Sequence, residues 1–415
     1  MKQYGPISFA SSCGDARVLI VCGSGGVGKT TTAAAIASAI AASGKKVLVL
    51  TIDPAKRLAT ALGLETVGNT ETQVSLPTTS RIGGQLWVAM LDTSASWDDL
   101  VRRHAPDHDT RDRILANPLY RNITQRFVQS HDYIAMERLH ELSESDRFDV
   151  IVVDTPPSRH AIDFLEAPER MKDFFSSTLL RWITLPYRLG GERAGRLGYL
   201  ASKPFYQVAD RILGSQFLQD VAEFFLLFQG MYNGFVERAT AVAQLIGSTD
   251  TAFLVVTTPE PAPMHEADYF TAELAKRGLR LGAAVMNRVA PPAMQAISGQ
   301  APLCADSVAV ASSFLERVRH DSAASGANSG DPSMSAMRRI AVAAAETHVQ
   351  QVQLAEHQRR QFQRFCPQAG FRVALPESAD PIDNVESLMS LGRRIVDAPP
   401  APSARGPRSA SKRRS

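Results

Sequence analysis

The sequence predicts an α/β fold with a mainly parallel central sheet, flanking helices and a helical insertion. Short β-rich apolar runs recur at residues 18–22, 47–52, 86–91, 150–153, 253–256, 283–286 and 371–375, each bounded by turn or helix-start residues. Between the first two lies an Ala/Ile-rich stretch, 31–43, stopped by Gly44, which has the propensity and the C-terminal stop of a helix. A glycine-rich segment joins the first run to that stretch. Together they form a βαβ unit, and runs of this kind read as buried parallel strands.

The chain has 415 residues, enough for one large α/β domain or two smaller ones, and its 44% hydrophobic content is ordinary for a chain that buries a core. The formal charge is only +3, and Arg405, Arg408, Lys412, Arg413 and Arg414 crowd the end. Without those five the remainder is near about −2, which argues against nucleic acid as a partner. Cys13, Cys22, Cys304 and Cys366 form no C-x-x-C pair and are too sparse for a disulfide framework, which predicts a reducing, cytoplasmic setting. Residues 1–15 show no basic stretch followed by a long apolar run, so no secretory signal is expected. The most apolar stretches, 224–228 and 251–258, are far shorter than the roughly 18 residues of a spanning helix. Any membrane contact is therefore expected to be peripheral or through a partner.

Along the chain, residues 1–16 read as an N-terminal extension and 17–397 as the main domain. Phe174, Phe175, Leu179, Trp182, Phe217, Phe224 and Met231 come at mixed helical spacing, which predicts a helical insertion over about 170–246. A Ser/Gly/Asn-rich stretch predicts a flexible loop over about 320–334, followed by a long polar-laced helix to about residue 365. The basic tail, 398–415, has almost nothing to bury and is expected to be disordered.

The segment Gly23-Ser24-Gly25-Gly26-Val27-Gly28-Lys29-Thr30 fits G-x-x-x-x-G-K-[ST] and lies between a strand and a helix start. Glycines let successive N–H groups face phosphates, the helix N-terminus adds its positive end, Lys29 reaches the β/γ oxygens, and Thr30 ligates Mg²⁺. ATP and Mg²⁺ are the ligands this pattern implies, in a P-loop NTPase fold. Gly23, Gly25 and Gly28 also spell G-x-G-x-x-G, with Asp53 at the end of the next strand. A dinucleotide site does not require a lysine and a hydroxyl directly after the third glycine, whereas a triphosphate with Mg²⁺ does.

Asp154 follows the apolar run 148–153, where a P-loop protein turns a carboxylate toward the metal through its water shell. The competing reading is a helix cap, but Thr155-Pro156-Pro157 is poor material for a continuing helix. For Asp53, geometry leaves two readings open. It faces the γ-phosphate from a strand end, or it starts an Asp-Pro turn into the helix through Leu58 and Leu62. Cys22, next to the loop, reads as a small buried hydrophobe, and His160 beside Arg159 as a structural residue rather than a base.

Residues 23–31, Asp53-Pro54-Ala55, Asp154-Thr155-Pro156-Pro157-Ser158-Arg159-His160, Thr257-Thr258-Pro259-Glu260-Pro261 and Asn287 together resemble the ArsA/Get-type ATPases. The likeness covers most of residues 17–395. It implies a nucleotide-gated dimer that couples ATP hydrolysis to a client protein or membrane partner. By position, Asp53 polarises the attacking water, Asp154 begins the second switch, and Asn287 offers its amide to adenine. Pro376 closes the adenine pocket together with Glu377. With Gly23, Gly25, Gly26, Val27, Gly28, Lys29, Thr30 and Thr31 these complete the nucleotide-binding set that the resemblance implies.

The departures are informative. Members of this family typically carry G-K-G-G-V-G-K-T, whose first lysine reaches the other subunit's phosphates; here that position is Ser24, which brings no positive charge. A paralogous subunit that supplies the cation is therefore expected, in a heterodimer. Lys56 replaces a histidine of many members, and the zinc-binding C-x-x-C pair of the eukaryotic tail-anchor targeting members is absent. The alternative class is a MinD/ParA-like positioning ATPase on membranes or DNA, favoured by the basic tail. Pro402 and Pro407 interrupt that tail, so it forms no amphipathic helix. A kinase would also use the loop, but nothing in the sequence supplies an acceptor site.

Overall fold

The computed structural model describes residues 8–52, 57–64, 67–77, 84–121, 128–156, 166, 221, 223–227, 231–291 and 332–399. The expectations for Asp53, Lys56, Cys304, residues 157–160, most of 170–230, 320–331 and the tail from 400 fall outside these residues.

One sheet holds β1 (Val18–Gly23), β2 (Lys46–Thr51), β3 (Thr72–Val74), β4 (Gln85–Met90), β5 (Val150–Asp154), β6 (Thr251–Thr257), β7 (Leu281–Val289) and β8 (Phe371–Pro376), in the order β3-β4-β2-β5-β1-β6-β7-β8. All the apolar runs expected to be strands are strands, and every ladder between them is parallel. β3 was not expected. It pairs antiparallel with β4, with Gln73 exposed, and a three-residue stretch is too short to carry a period.

Every residue of β1, β5 and β6 is buried, because helices cover both faces of the sheet. The two-residue period of a strand divides their side chains: Val18, Ile20 and Cys22 join one apolar cluster, Leu19 and Val21 the other. The helices are α1 (Phe9–Cys13), α2 (Lys29–Ala42), α3 (Arg57–Ala61), α4 (Thr93–His104), α5 (His108–Ala116), α6 (Val128–Glu144), α7 (Tyr232–Gly247), α8 (Pro261–Lys276), α9 (Pro332–Arg364) and α10 (Val385–Val396). α4, α6, α7 and α8 contribute to the first cluster, α2 and α10 to the second.

Three local findings refine the sequence reading. α9 begins at Pro332, so residues 332–334 are helix rather than loop; a proline fits a first helical turn, where its missing N–H is not needed. In the described part of the expected insertion, Phe224, Met231, Phe235 and Val242 are buried in the first cluster, with Phe235 against Trp97 and Tyr133. These side chains are core. Before β1, Phe9 meets Phe371 edge-on at 5.7 Å and Ser12 Oγ donates to Gly282 O, so the segment from residue 8 is docked on β7 and β8. Among the described residues, no helix is long and apolar enough to cross a membrane.

α2 is a helix of small residues because α10 presses on it. A Cβ at Gly392 of α10 would stand 1.9 Å from Ala35 O and 2.8 Å from Ala39 Cβ. Replacing Gly392 by alanine should therefore cost about 1–3 kcal/mol, as overpacking does. Urea unfolding reads this directly, and an unchanged midpoint would mean that α10 can move away without loss. Since α2 begins at the phosphate loop, this contact also fixes the helix that starts the site.

Candidate functional site

β1 ends at Gly23, the loop runs through Gly28, and α2 starts at Lys29, so the loop leads directly into a helix N-terminus. The loop has a pressed floor and an open rim. A Cβ at Gly23 would lie 2.1 Å from Val256 O and one at Gly28 2.5 Å from Asn287 Nδ2, whereas Gly25 and Gly26 are exposed and would meet nothing within 4 Å. Gly26 and Gly28 have φ of 80° and 94°, a left-handed backbone that costs other residues free energy. Val27 is buried beneath the loop, and Thr31 stands half-buried in the first turn of α2.

Lys29 is 8% exposed, and its Nζ donates to Ser24 O at 2.9 Å, so the ammonium crosses its own loop. Thr30 Oγ1 donates to Asp154 Oδ2 at 2.7 Å. Asp154 is fully buried at the end of β5, in register with Val21 of β1 and Thr51 of β2. Thr51 Oγ1 donates to the same Oδ2 at 3.1 Å, and Ile52 N to Asp154 O. The chain beyond is pinned as well, since Thr155 Oγ1 donates to Val21 O at 2.9 Å. Cys22 sits behind this junction, and burial pushes its thiol up to about 12, against the partial relief of Thr155, so it stays protonated at neutral pH.

On the other side of β1, β7 and β8 end together. Asn287, in β7, donates through Nδ2 to Val27 O at 2.9 Å, and its Oδ1 accepts from Arg288 N at 2.9 Å. Pro376 closes β8 in register with Val289, and Glu377 N donates to Val289 O. The loop, Thr30, Asp154 and Asn287 thus gather at the carboxyl ends of parallel strands, where open α/β sheets hold ligands. Asp53 falls outside the described residues, one step beyond Ile52.

The donor set fits a triphosphate with Mg²⁺. A hydroxyl and a carboxylate, 2.7 Å apart, are hard oxygen ligands of the kind that Mg²⁺ takes together with phosphate and water. The open rim at Gly25 and Gly26 leaves main-chain room for phosphate.

Residues 16–189 match the family model ArsA_ATPase, described as anion-transporting ATPase. Over those residues this chain is similar to the ArsA ATPase family. It is similar to an uncharacterised protein of Streptomyces coelicolor, 30% identical over 294 residues, which are 68% of this chain and 66% of that protein. It is also similar to a Plasmodium berghei protein named ATPase ASNA1 homolog, 24% identical over 279 residues, 66% of this chain and 63% of that one. The match thus spans less than two thirds of the Plasmodium protein's length and about two thirds of the Streptomyces protein's. The sheet is eight-stranded and mostly parallel, and seven of its strands are the apolar runs that the sequence predicts.

Two contacts were not read from the sequence. Thr51 is one threonine among many until the β2–β5 register sets it beside Asp154. Asn287 was assigned by resemblance to the base alone, yet it holds the phosphate loop.

Proposed function

We propose that this ArsA-type chain is an Mg²⁺-dependent ATPase whose nucleotide cycle works as a switch in a dimer. The observation that carries the reading is Thr30 Oγ1 on Asp154 Oδ2 at 2.7 Å, at the mouth of a glycine loop that continues into α2. Mg²⁺ would be held by Thr30 and, through water, by Asp154, and when bound it would offset phosphate charge. Loop amides of residues 25–30 and the α2 N-terminus receive the phosphates, and Lys29 leaves Ser24 O for the β/γ oxygens. Asp53 orients the water. A water oxygen–phosphorus bond forms, the bond from the γ-phosphorus to the bridging oxygen breaks, and ADP and phosphate leave. Asn287 reads the adenine edge, and Pro376 flanks it.

The same reading extends to partners. Ser24 brings no cation to a second subunit's phosphates, which supports a heterodimer with a lysine-bearing paralogue. Work would pass to a client or membrane protein from a cytoplasmic position, peripheral to the membrane. Phe224, Met231, Phe235 and Val242 of the insertion are buried in the core, which argues against these side chains as a client surface.

Phosphate release from ATP in water, with no added acceptor, tests the hydrolase reading. We expect Mg²⁺-dependent release that is slow for the chain alone and rises about tenfold or more with Ser24→Lys or with the paralogue, since one transition-state cation is restored. Light-scattering mass follows dimer formation in the same samples. A rate unaffected by Ser24→Lys would sink the paired-subunit reading, and no release under any condition would sink the ATPase.

A further inference from the structure

Asn287 stands between two things that a nucleotide-binding protein must grip separately. Its Nδ2 donates to Val27 O at 2.9 Å, inside the phosphate loop, and the same nitrogen lies 2.5 Å from where a Cβ of Gly28 would stand. Val27 O is a main-chain acceptor one residue before the left-handed Gly28 and two before Lys29. Its other end is equally fixed. Oδ1 accepts from Arg288 N, and Arg288 has a left-handed φ of 57°, which is uncommon for a residue with a side chain. The carboxamide is thereby oriented by its own strand end and aimed at the loop.

A primary amide has two N–H donors and two acceptor lone pairs. One N–H is used on Val27 O and one lone pair on Arg288 N, which leaves the second of each for a ligand. We infer that Asn287 is a positioning residue for the phosphate loop, joining it to the base pocket, so that one carboxamide sets the peptide ahead of Gly28 and Lys29 whether or not a base is bound. This rests on the nucleotide reading above, and it adds a function that a base contact alone does not require. The physical reason lies in the loop itself. Its rim at Gly25 and Gly26 is exposed and untouched, so the orientation of the peptides that face phosphate depends on what holds the floor at Gly23 and at Val27-Gly28.

The inference separates from base reading by a ligand without a base. Binding of Mg²⁺-tripolyphosphate and of Mg²⁺-ATP is measured by calorimetry on the full chain, wild type, Asn287→Ala and Asn287→Asp, with Lys29→Ala as the reference for a lost site. The Asp variant keeps the shape and the acceptor for Arg288 N but sets a carboxylate oxygen against Val27 O. We expect both Asn287 variants to bind tripolyphosphate about five- to tenfold more weakly than wild type, the loss typical of one hydrogen bond. ATP affinity should fall further, and the far-ultraviolet spectrum and thermal midpoint should stay near wild type. Unchanged tripolyphosphate binding with weakened ATP binding would make Asn287 a base reader only and overturn the inference, as would no change for either ligand. Failure of the wild type to bind either ligand, indistinguishable from Lys29→Ala, would overturn the nucleotide reading and this inference with it.

Discussion

Lys29→Ala should lower ATP turnover on the order of 1000-fold, the scale of losing a preorganised charge from a transition state. Lys29 lies at the first position of α2, 8% exposed, with its Nζ 2.9 Å from Ser24 O. An ammonium held inside the loop by a main-chain carbonyl is already desolvated, so its transfer to phosphate oxygens requires only a short movement and little reorganisation. Alanine is a strong helix former and keeps the start of α2, so the thermal midpoint should change by only a few degrees, roughly what a single lost hydrogen bond causes. Stopped-flow or coupled phosphate detection provides the rate, and calorimetric unfolding the control. Retained turnover in a folded variant would assign the charge stabilisation to another group.

Asp154→Asn should remove the effect of Mg²⁺ while leaving the fold. The wild-type carboxylate is fully buried and accepts from Thr30 Oγ1 at 2.7 Å and Thr51 Oγ1 at 3.1 Å. An asparagine side chain has nearly the same shape, and both hydroxyls can reorient to serve an amide, so packing between β5, β1 and β2 is kept. What is lost is the negative charge beside the metal position. In wild type, Mg²⁺ should tighten ATP binding and permit hydrolysis. In Asp154→Asn, titrations with and without Mg²⁺ should converge, and turnover should fall on the order of 100-fold or more. A variant that still responds to Mg²⁺ like wild type would place the second metal partner elsewhere, and Asp154 would then be the structural anchor of Thr30 and Thr51.

The two variants address different halves of one site, and sequence reading reached them by different routes. Lys29 and Thr30 were legible because their chemistry is local. A glycine run, a lysine and a hydroxyl act within eight consecutive residues, and the strand before and the helix after have their own periods and stops. The parallel strands were legible for a related reason. A strand buried on both faces reads as an unbroken apolar run, and each run expected to be a strand is one. β3 was not legible because three residues on a sheet edge carry no pattern of their own, and their pairing with β4 supplies it.

Asp154, Thr51 and Asn287 show where the sequence stops. A carboxylate at the end of an apolar run has two plausible uses, and nothing within a few residues of Asp154 states that Thr30, 124 positions away, will share its oxygen. That contact follows from β1 and β5 being neighbours in register, and the Thr51 contact from β2 lying on the other side of β5. Asn287 meets Val27 over a separation of 260 residues, because β6 and β7 bring the end of the second half of the sheet back to the loop of the first. Sequence by itself therefore determined the fold class, the phosphate loop and its start on α2, since these depend on residues close along the chain and on the water-avoiding period of each element. Only the tertiary structure decided which side chains share an oxygen or hold the loop. Hydrogen bonds act over about 3 Å, and strand order and register alone place distant residues within that reach.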